Sequence, residues 1–324
     1  MHEVKQFVEE WNNGNSFIEV QTSGTTGAPK CMQLSKSLMK KSAQQTISFF
    51  ELEAGMKAGL CLSMQSIAGK MMMVRAFLSE MELHVLPVDK NPLFKVDFEL
   101  DFNAMVPVQA LSVAEAGRAI HRKGKLLIGG SPLTDNQFRR ISEYYHDAYQ
   151  TYGMTETASH IALRRINGDS NSSYSVLGCY SVSEREGCLV VHHKDLPDGA
   201  VVTKDCVELV NDKEFKYLGR TDFVIVSGGH KIHPETLEVK LGSMFKSPCM
   251  VAPISDDTWG ELVGLVLHKD ETPPTMEMLK TTILPFELPR KFTFIDEIKR
   301  NQAGKIDRKL MLEILIHHEW ETIL

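Results

Sequence analysis

Apolar residues recur along the chain at two spacings, and stretches of the two alternate. Between residues 35 and 53, Leu38, Met39, Ala43, Ile47 and Phe50 follow three- and four-residue steps, which predicts an amphipathic helix. Just before it, Ser16 to Gln21 alternates like a strand. Short apolar runs at Leu60 to Met64, Leu83 to Val88, Ala104 to Leu111, Lys125 to Ile128 and Ala148 to Thr151 predict further strands, with helices near 69 to 80, 112 to 123 and 134 to 146. Such alternation predicts a layered α/β domain. From Cys188 onward the runs shorten. Cys188 to His193, Ala200 to Thr203, Val207 to Val210 and Phe215 to Leu218 are divided by Pro-Asp-Gly and Asn-Asp-Lys turns, which predicts a β-rich subdomain. After Asp222 the order changes again: a strand at Phe223 to Ser227, a helix opening near Pro234, strands near Met250 and Leu262, and a last helix from Arg308. The expected organisation is a large N-terminal layered α/β domain with its β-rich subdomain over 1–222, then a small α+β C-terminal domain over 223–324.

Composition narrows the classes. With 324 residues, 43% hydrophobic and 24% charged, the chain has the makeup of an ordinary soluble globular protein with room for about two domains. A net charge of −6 gives nucleic acid no electrostatic footing. Cys31, Cys61, Cys179, Cys188, Cys206 and Cys249 are scattered and read as reduced, mostly structural thiols. The N-terminus lacks a signal-peptide apolar run and charges interrupt every hydrophobic stretch, so no membrane association and a cytoplasmic location are expected. No His-Glu-x-x-His pair and no Gly-x-Ser-x-Gly elbow are present, and His192-His193 and His317-His318 read as solvated surface.

Four segments carry candidate chemistry. Thr22-Ser23-Gly24-Thr25-Thr26-Gly27-Ala28-Pro29-Lys30 puts four hydroxyls, two glycines and a lysine in one loop. Glycines let the backbone approach phosphate oxygens, hydroxyls and amides donate to them, and Lys30 neutralises part of their charge. It is not a P-loop, because Pro29 precedes the lysine and Cys31 follows it. Tyr152-Gly153-Met154-Thr155-Glu156-Thr157 adds a carboxylate able to hold Mg²⁺ against phosphate and a hydroxyl donor on the same turn. Gly219-Arg220-Thr221-Asp222 precedes Ser227-Gly228-Gly229-His230, joining two charges to a glycine pair; alone, Arg220 and Asp222 read equally as a surface ion pair. Arg300 to Arg308 places Lys305 on a turn before the terminal helix, where by itself it is an ordinary solvated lysine.

In this order, the four segments resemble the adenylate-forming superfamily of acyl-CoA synthetases, luciferases and peptide-synthetase adenylation domains, from Thr22 to the end of the chain. The resemblance implies ATP, Mg²⁺ and coenzyme A as reaction partners. It implies that Thr22 to Lys30 cradle the β- and γ-phosphates, that Thr155 meets the α-phosphate and Glu156 the metal, and that Asp205 with Arg220 takes the ribose hydroxyls. Gly129, Gly130 and Ser131 would line the adenine, with Tyr152 stacked on the base. Lys305 would be the catalytic lysine of a mobile C-terminal domain hinged at Asp222, and Gly228 and Gly229 would border the pantetheine arm. Only 21 residues precede the phosphate loop, fewer than that family usually carries. Short chains of this kind resemble o-succinylbenzoate–CoA ligases of menaquinone biosynthesis, through Ile67 to Arg75 and Thr155 to Arg165. That acid carries a second carboxylate, for which Lys70, Arg75, His160 and Arg164 are candidates; each reads equally as a surface charge. Met71 to Met73 read as core. A ligase for another aryl or short acyl acid, or a non-catalytic nucleotide-binding relative, fits the same motifs. Nothing in the pattern sets an oligomeric state.

Overall fold

A sheet of eleven strands runs through the larger part of the protein, whose computed structural model describes residues 2–22, 30–166, 169, 172–178, 180–301 and 305–324. Five neighbouring strands are parallel, in the spatial order Glu82–Val85, Lys57–Leu60, Phe102–Met105, Lys125–Ile128 and Ala148–Gly153. The rest continue antiparallel through His160–Arg165, Tyr174–Val176, Glu214–Arg220, Ala200–Asn211, Cys188–His192 and Ser181–Arg185. Because strand side chains alternate, neighbours in one strand serve opposite cores. Leu127 packs with the helices Lys36–Phe50 and Ile67–Ser79, while Leu126 and Ile128 pack with Pro107–Ala116 and Asp135–Tyr144. The helix Ile67–Ser79 is enclosed on most sides, and Met71, Met72 and Met73 are buried in the first core.

A two-stranded antiparallel sheet, Phe17–Thr22 with Lys30–Ser35, lies outside the large one. A third sheet of six strands, from Ile225–Ser227 to Glu321–Thr322, holds the C-terminal part. Its two faces are likewise divided. Val251, Leu265 and Leu267 pack with Leu237 and Leu241 of the helix Pro234–Leu241, whereas Met250, Ala252 and Val266 pack with Met311 and Leu315 of Arg308–Leu315. Among the described residues, no helix is long and apolar enough to cross a membrane.

Several elements differ from the sequence reading. The strand expected over Ala104 to Leu111 stops at Met105, because Pro107 takes the first position of a helix. That helix replaces the one expected over 112 to 123; it ends at Gly117, φ +67, before a single turn at Ala119–His121. Ala200 to Thr203 and Val207 to Val210 are one strand, Ala200–Asn211, that absorbs two register shifts against Glu214–Arg220. The helix His2–Asn12 and the strands Lys30–Ser35 and His160–Arg165 were not anticipated. His193 is not solvated: it is buried against the Tyr180 ring at 4.6 Å.

Candidate active site

Parallel strands deliver their carboxyl ends to one rim, the customary place for a ligand in such sheets. Lys125–Ile128 runs into Gly129-Gly130, where Gly130 has φ +95 and a Cβ on Gly129 would lie 2.5 Å from Thr151 Oγ1. Ala148–Gly153 delivers Tyr152 to the same rim. A Cβ on Gly153 would sit 2.4 Å from both Ser159 O and His160 Cα, so only glycine lets the chain fold back this closely. The reversal runs through the single turn Thr155–Thr157 and through Ala158, held at φ +63. Thr157 is buried and reaches Ser159 O at 2.7 Å, whereas Glu156 is exposed. Among the described residues no three His, Cys, Asp or Glu side chains gather as a metal cage. One open carboxylate suits Mg²⁺, which takes few protein ligands and completes its shell with phosphate oxygens and water.

The polar centre of the rim is Asp205. Tyr152 donates its hydroxyl to Asp205 Oδ2 at 2.5 Å, and Arg220 Nη1 lies 3.4 Å from Oδ1. Asp205 and Arg220 are register partners across two antiparallel strands, so their approach is built into the ladder. Arg220 Nη2 also donates to Asp222 at 2.9 Å, and Lys204 Nζ to the other Asp222 oxygen at 2.8 Å. Burial pushes the Asp222 carboxyl up, but the hydrogen bonds from Lys204 and Arg220 outweigh it and hold it below the usual range. The Tyr152 ring is 9% exposed and packs between Phe215 and Tyr174, at 5.1 and 5.9 Å. Burial, then the Asp205 charge, raises its hydroxyl well above the usual value, so it stays a donor.

The C-terminal part brings Lys305 to this centre. Asn301 closes its turn, donating backbone N–H to Lys305 O at 2.8 Å and accepting Lys305 N–H on its side chain at 3.1 Å. Lys305 keeps an open surface, yet its ammonium is crowded by protein and faces the charges of Asp205, Arg220 and Glu235. Desolvation draws it below the ordinary lysine value, with Arg220 pushing the same way and Asp205 and Glu235 opposing. Gly228 and Gly229 form the turn between Ile225–Ser227 and His230–Ile232, with φ +56 and +83. A Cβ on Gly228 would lie 2.6 Å from the Trp259 ring.

A second cluster lies under the first core. Arg75, 2% exposed, donates from Nη2 to Ser159 Oγ at 2.6 Å and lies 3.5 Å from His160 Nδ1. His160 Nε2 is 3.3 Å from Thr46 Oγ1, whose own hydroxyl donates to Ser42 O. With a donor on Nδ1, this network assigns the ring proton to Nε2. Burial lowers Arg75 to about 9, so it is still a cation at neutral pH. Burial and the Arg75 charge hold His160 well below its usual value, hence neutral. Lys70 turns elsewhere, donating to Glu19 O at 3.0 Å with Glu10 at 3.7 Å. Arg164 binds Gln150 and spans the Phe138 and Tyr174 rings at 5.0 and 5.2 Å. Thus Arg75 and His160 come together, and Lys70 and Arg164 engage other partners. Ser23, Gly24, Thr25, Thr26 and Gly27 lie outside the described residues, and Thr22 and Lys30 are fixed as backbone register partners. Sequence reasoning passed over Ser159, Thr46 and Glu235. Thr46 alone left a signal, as a hydroxyl one residue from Ile47 and three from Ala43 on the apolar stripe of its helix.

The family model for AMP-binding enzymes matches residues 10–195. The 2-succinylbenzoate–CoA ligase of Bacillus pumilus is 23% identical to the chain, over 94% of it and 70% of that protein. The crystal structure of an acyl-CoA synthetase (AMP-forming)/AMP-acid ligase II-like protein from Dyadobacter fermentans is 31% identical, with a TM-score of 0.63 covering 97% of this chain and 93% of that one. The o-succinylbenzoate–CoA synthetase of Bacillus subtilis, solved with its acyl-adenylate, has a TM-score of 0.79 at 21% identity, covering 90% of this chain and 68% of that one.

Proposed function

The chain belongs to the AMP-binding enzyme family, as an AMP-forming acyl-CoA synthetase, and on that premise we propose that its acid is o-succinylbenzoate, joined to coenzyme A on the way to menaquinone. The observation that carries this reading is Arg75: a deeply buried guanidinium whose Nε has no hydrogen-bond partner and which has no carboxylate within ion-pair distance, both among the described residues. An unpaired buried cation is costly unless something negative completes it. A dicarboxylic aryl acid does so, with one carboxylate held by Arg75 and Ser159 and the other free to react. The named ligases of Bacillus pumilus and Bacillus subtilis act on that acid, which supports the choice.

In the first half-reaction, a carboxylate oxygen attacks the α-phosphorus of ATP, the O–P bond forms, and the bond to pyrophosphate breaks. An anion approaches an anion, so cations must be in place. Lys305 supplies one at the Asp205 crevice, and Lys30 another at the phosphates. Asp205, with Oδ2 engaged by Tyr152, keeps lone pairs for the ribose hydroxyls, while Gly129, Gly130 and Ser131 border the base. Glu156 would hold Mg²⁺, which supplies further positive charge against the phosphates. In the second half-reaction the thiol sulfur of coenzyme A attacks the acyl carbon, AMP leaves with the electron pair, and the thiol proton passes to solvent. Gly228 and Gly229 allow the pantetheine arm a close approach.

The test is product analysis with a panel of aryl and short acyl acids. AMP and pyrophosphate formed with o-succinylbenzoate support the reading, and ADP as product would refute the chemistry. Arg75→Ala is expected to cost about 2 kcal/mol of acid binding, or ~30-fold in KM for the diacid. Monocarboxylic benzoyl analogues should be spared. Preference for a monocarboxylic acid in the unmodified protein would overturn the substrate assignment and leave the ligase standing.

A further inference from the structure

Two cysteines that the motifs leave without a role face each other beside Asp205. The hairpin from Ser181–Arg185 to Cys188–His192 turns through Glu186 and Gly187, at φ +56 and +82, and Cys188 opens its second strand. Across the next ladder Cys188 is the register partner of Cys206, which follows Asp205 on Ala200–Asn211. Val207 N–H donates to Gly187 O at 3.2 Å, joining the residue after one cysteine to the residue before the other. The pair therefore occupies a non-hydrogen-bonded site, where facing Cα atoms stand about 4.5 Å apart, within the roughly 4.4–6.8 Å that a disulfide spans. Both are free thiols. Cys206 is buried and Cys188 half-buried. Gly219 is the register partner of Cys206 on its other side, and Glu235 takes the space that a Gly219 side chain would fill. The C-terminal part thus covers one end of this row, and Cys188 keeps the more open end.

We propose that Cys188 and Cys206 form a reversible disulfide under a peroxide oxidant, a clasp that shifts Asp205 and weakens nucleotide binding at the rim. The coupling, which rests on the reading of Asp205 as a nucleotide ligand, lies in the ladder. Residues 202–206 of the long strand face only 188–190, a bulge that holds Thr203 and Asp205. Thr203 Oγ1 donates to Leu189 O at 2.8 Å and accepts Asp205 N–H at 3.1 Å, so Asp205 is tied through Thr203 to the strand of Cys188. A disulfide needs Cβ atoms about 3.8 Å apart, nearer than the roughly 4.5–5.5 Å of an ordinary facing pair. Closing it draws in the end of this bulge. Burial, then the neighbouring Cys188, Asp205 and Glu235, pushes the Cys206 thiol up to about 11, with Lys231 opposing. The more open Cys188 is therefore the first nucleophile. Its sulfur attacks a peroxide oxygen, the O–O bond breaks, one water leaves with the thiol proton, and Cys188 becomes a sulfenic acid. The Cys206 sulfur then attacks the Cys188 sulfur; the S–S bond forms, the S–O bond breaks, and the Cys206 proton leaves with hydroxide as a second water. Two thiols lose two electrons, and the peroxide takes them up. A dithiol reductant reverses the bond by exchange.

The experiment treats the full chain with hydrogen peroxide, caps the remaining thiols with N-ethylmaleimide and digests it without reduction for mass spectrometry. A peptide joining Cys188 to Cys206 is expected, and is expected to vanish when dithiothreitol precedes capping. ATP affinity, read by equilibrium dialysis, is expected to fall ~5-fold on oxidation and to return with dithiothreitol. Cys188→Ser should hold its affinity through the same treatment, and Cys188→Ala carries this arm should Cys188→Ser not fold. In Cys206→Ser, dimedone is expected to trap the Cys188 sulfenic acid. Two cysteines capped separately, with no joined peptide, overturn the proposal, as does a bond found only in dimers on a non-reducing gel. A joined peptide with unchanged ATP affinity overturns the coupling to Asp205 and leaves the bond. If the reduced chain binds no ATP, the nucleotide reading fails and the coupling with it, while the joined peptide alone decides the bond.

Discussion

Burial gives Arg75 and His160 opposite roles. The guanidinium remains charged because its intrinsic proton affinity is high, whereas the imidazole beside it, desolvated and repelled, remains neutral. A histidine held neutral makes stability fall with pH. Below its ordinary value of 6.5, the unfolded chain takes up a proton that folded His160 refuses. The unfolded state then binds more protons, and folding stability drops by at most ~1.4 kcal/mol per pH unit for this one group. His121, His193 and His233 are lowered by burial as well, so the total acid slope is shared. Urea unfolding at pH 7.5 and 5.5 separates the contributions. His160→Gln is expected to lose less stability than the unmodified protein over that interval, and equal losses would show that His160 titrates normally. Tyr152 makes a second residue-level test. Removing its hydroxyl frees Asp205 Oδ2 from a hydrogen bond expected at roughly 2 kcal/mol, so Tyr152→Phe should raise the KM for ATP several-fold while leaving the KM for the acid in place.

At the scale of elements, legibility followed the strength of local signals. The helix expected over 35 to 53 is Lys36–Phe50, stopped by Glu51 in the left-handed region, and the strand at Lys125–Ile128 is as read, because each has a clear period. Ala104 to Leu111 misled because apolar content hides a change of period, and the signal that mattered was Pro107. Ala200–Asn211 looked like two strands since Lys204 and Asp205 interrupt its apolar run, and those two polar residues face the Asp222 and Arg220 partners. Tyr152, Asp205, Arg220 and Lys305 were singled out only through the family resemblance, since alone Arg220 read as a surface charge and Lys305 as a solvated lysine, and the structure brings them to one rim. Ser159 and Glu235 left no signal, since tertiary packing alone gives a common hydroxyl or carboxylate its surroundings, and Thr46 left only its place on the apolar stripe of its helix. Gly153 is the element-level position on which the rim depends. A methyl group there would press on Ser159 O and His160 Cα at 2.4 Å, displacing the start of the strand His160–Arg165 and the residue before it. Gly153→Ala is expected to cost about 3 kcal/mol or more, read as a lowered melting temperature, and to weaken the Ser159–Arg75 contact. An unchanged melting temperature would mean the strands part at little cost.

Across the whole molecule, two half-reactions make unlike demands on one crevice. Adenylation needs a cation beside the α-phosphate, whereas thioester formation needs space and a backbone that a pantetheine arm can follow. The arrangement described here presents the Lys305 turn to Asp205 and Arg220, while the Gly228 turn is packed at Trp259, whose ring is 51% exposed. Gly228 N–H donates to Trp259 O at 3.0 Å, which ties this turn to its own sheet rather than to the crevice. In the proposed mechanism the face that carries Lys305 serves the first step and the Gly228 turn serves the second, with the passage through Asp222 as the proposed pivot. Gly228→Ala separates these demands, because it adds a methyl group where φ is +56 and the indole is 2.6 Å away. ATP–pyrophosphate exchange is expected to stay within about two-fold, while thioester formation falls ~10-fold or more. A parallel fall in both rates would mean that the glycine turn supports the fold of the C-terminal part and not the second reaction, and the two-arrangement account would lose its structural basis.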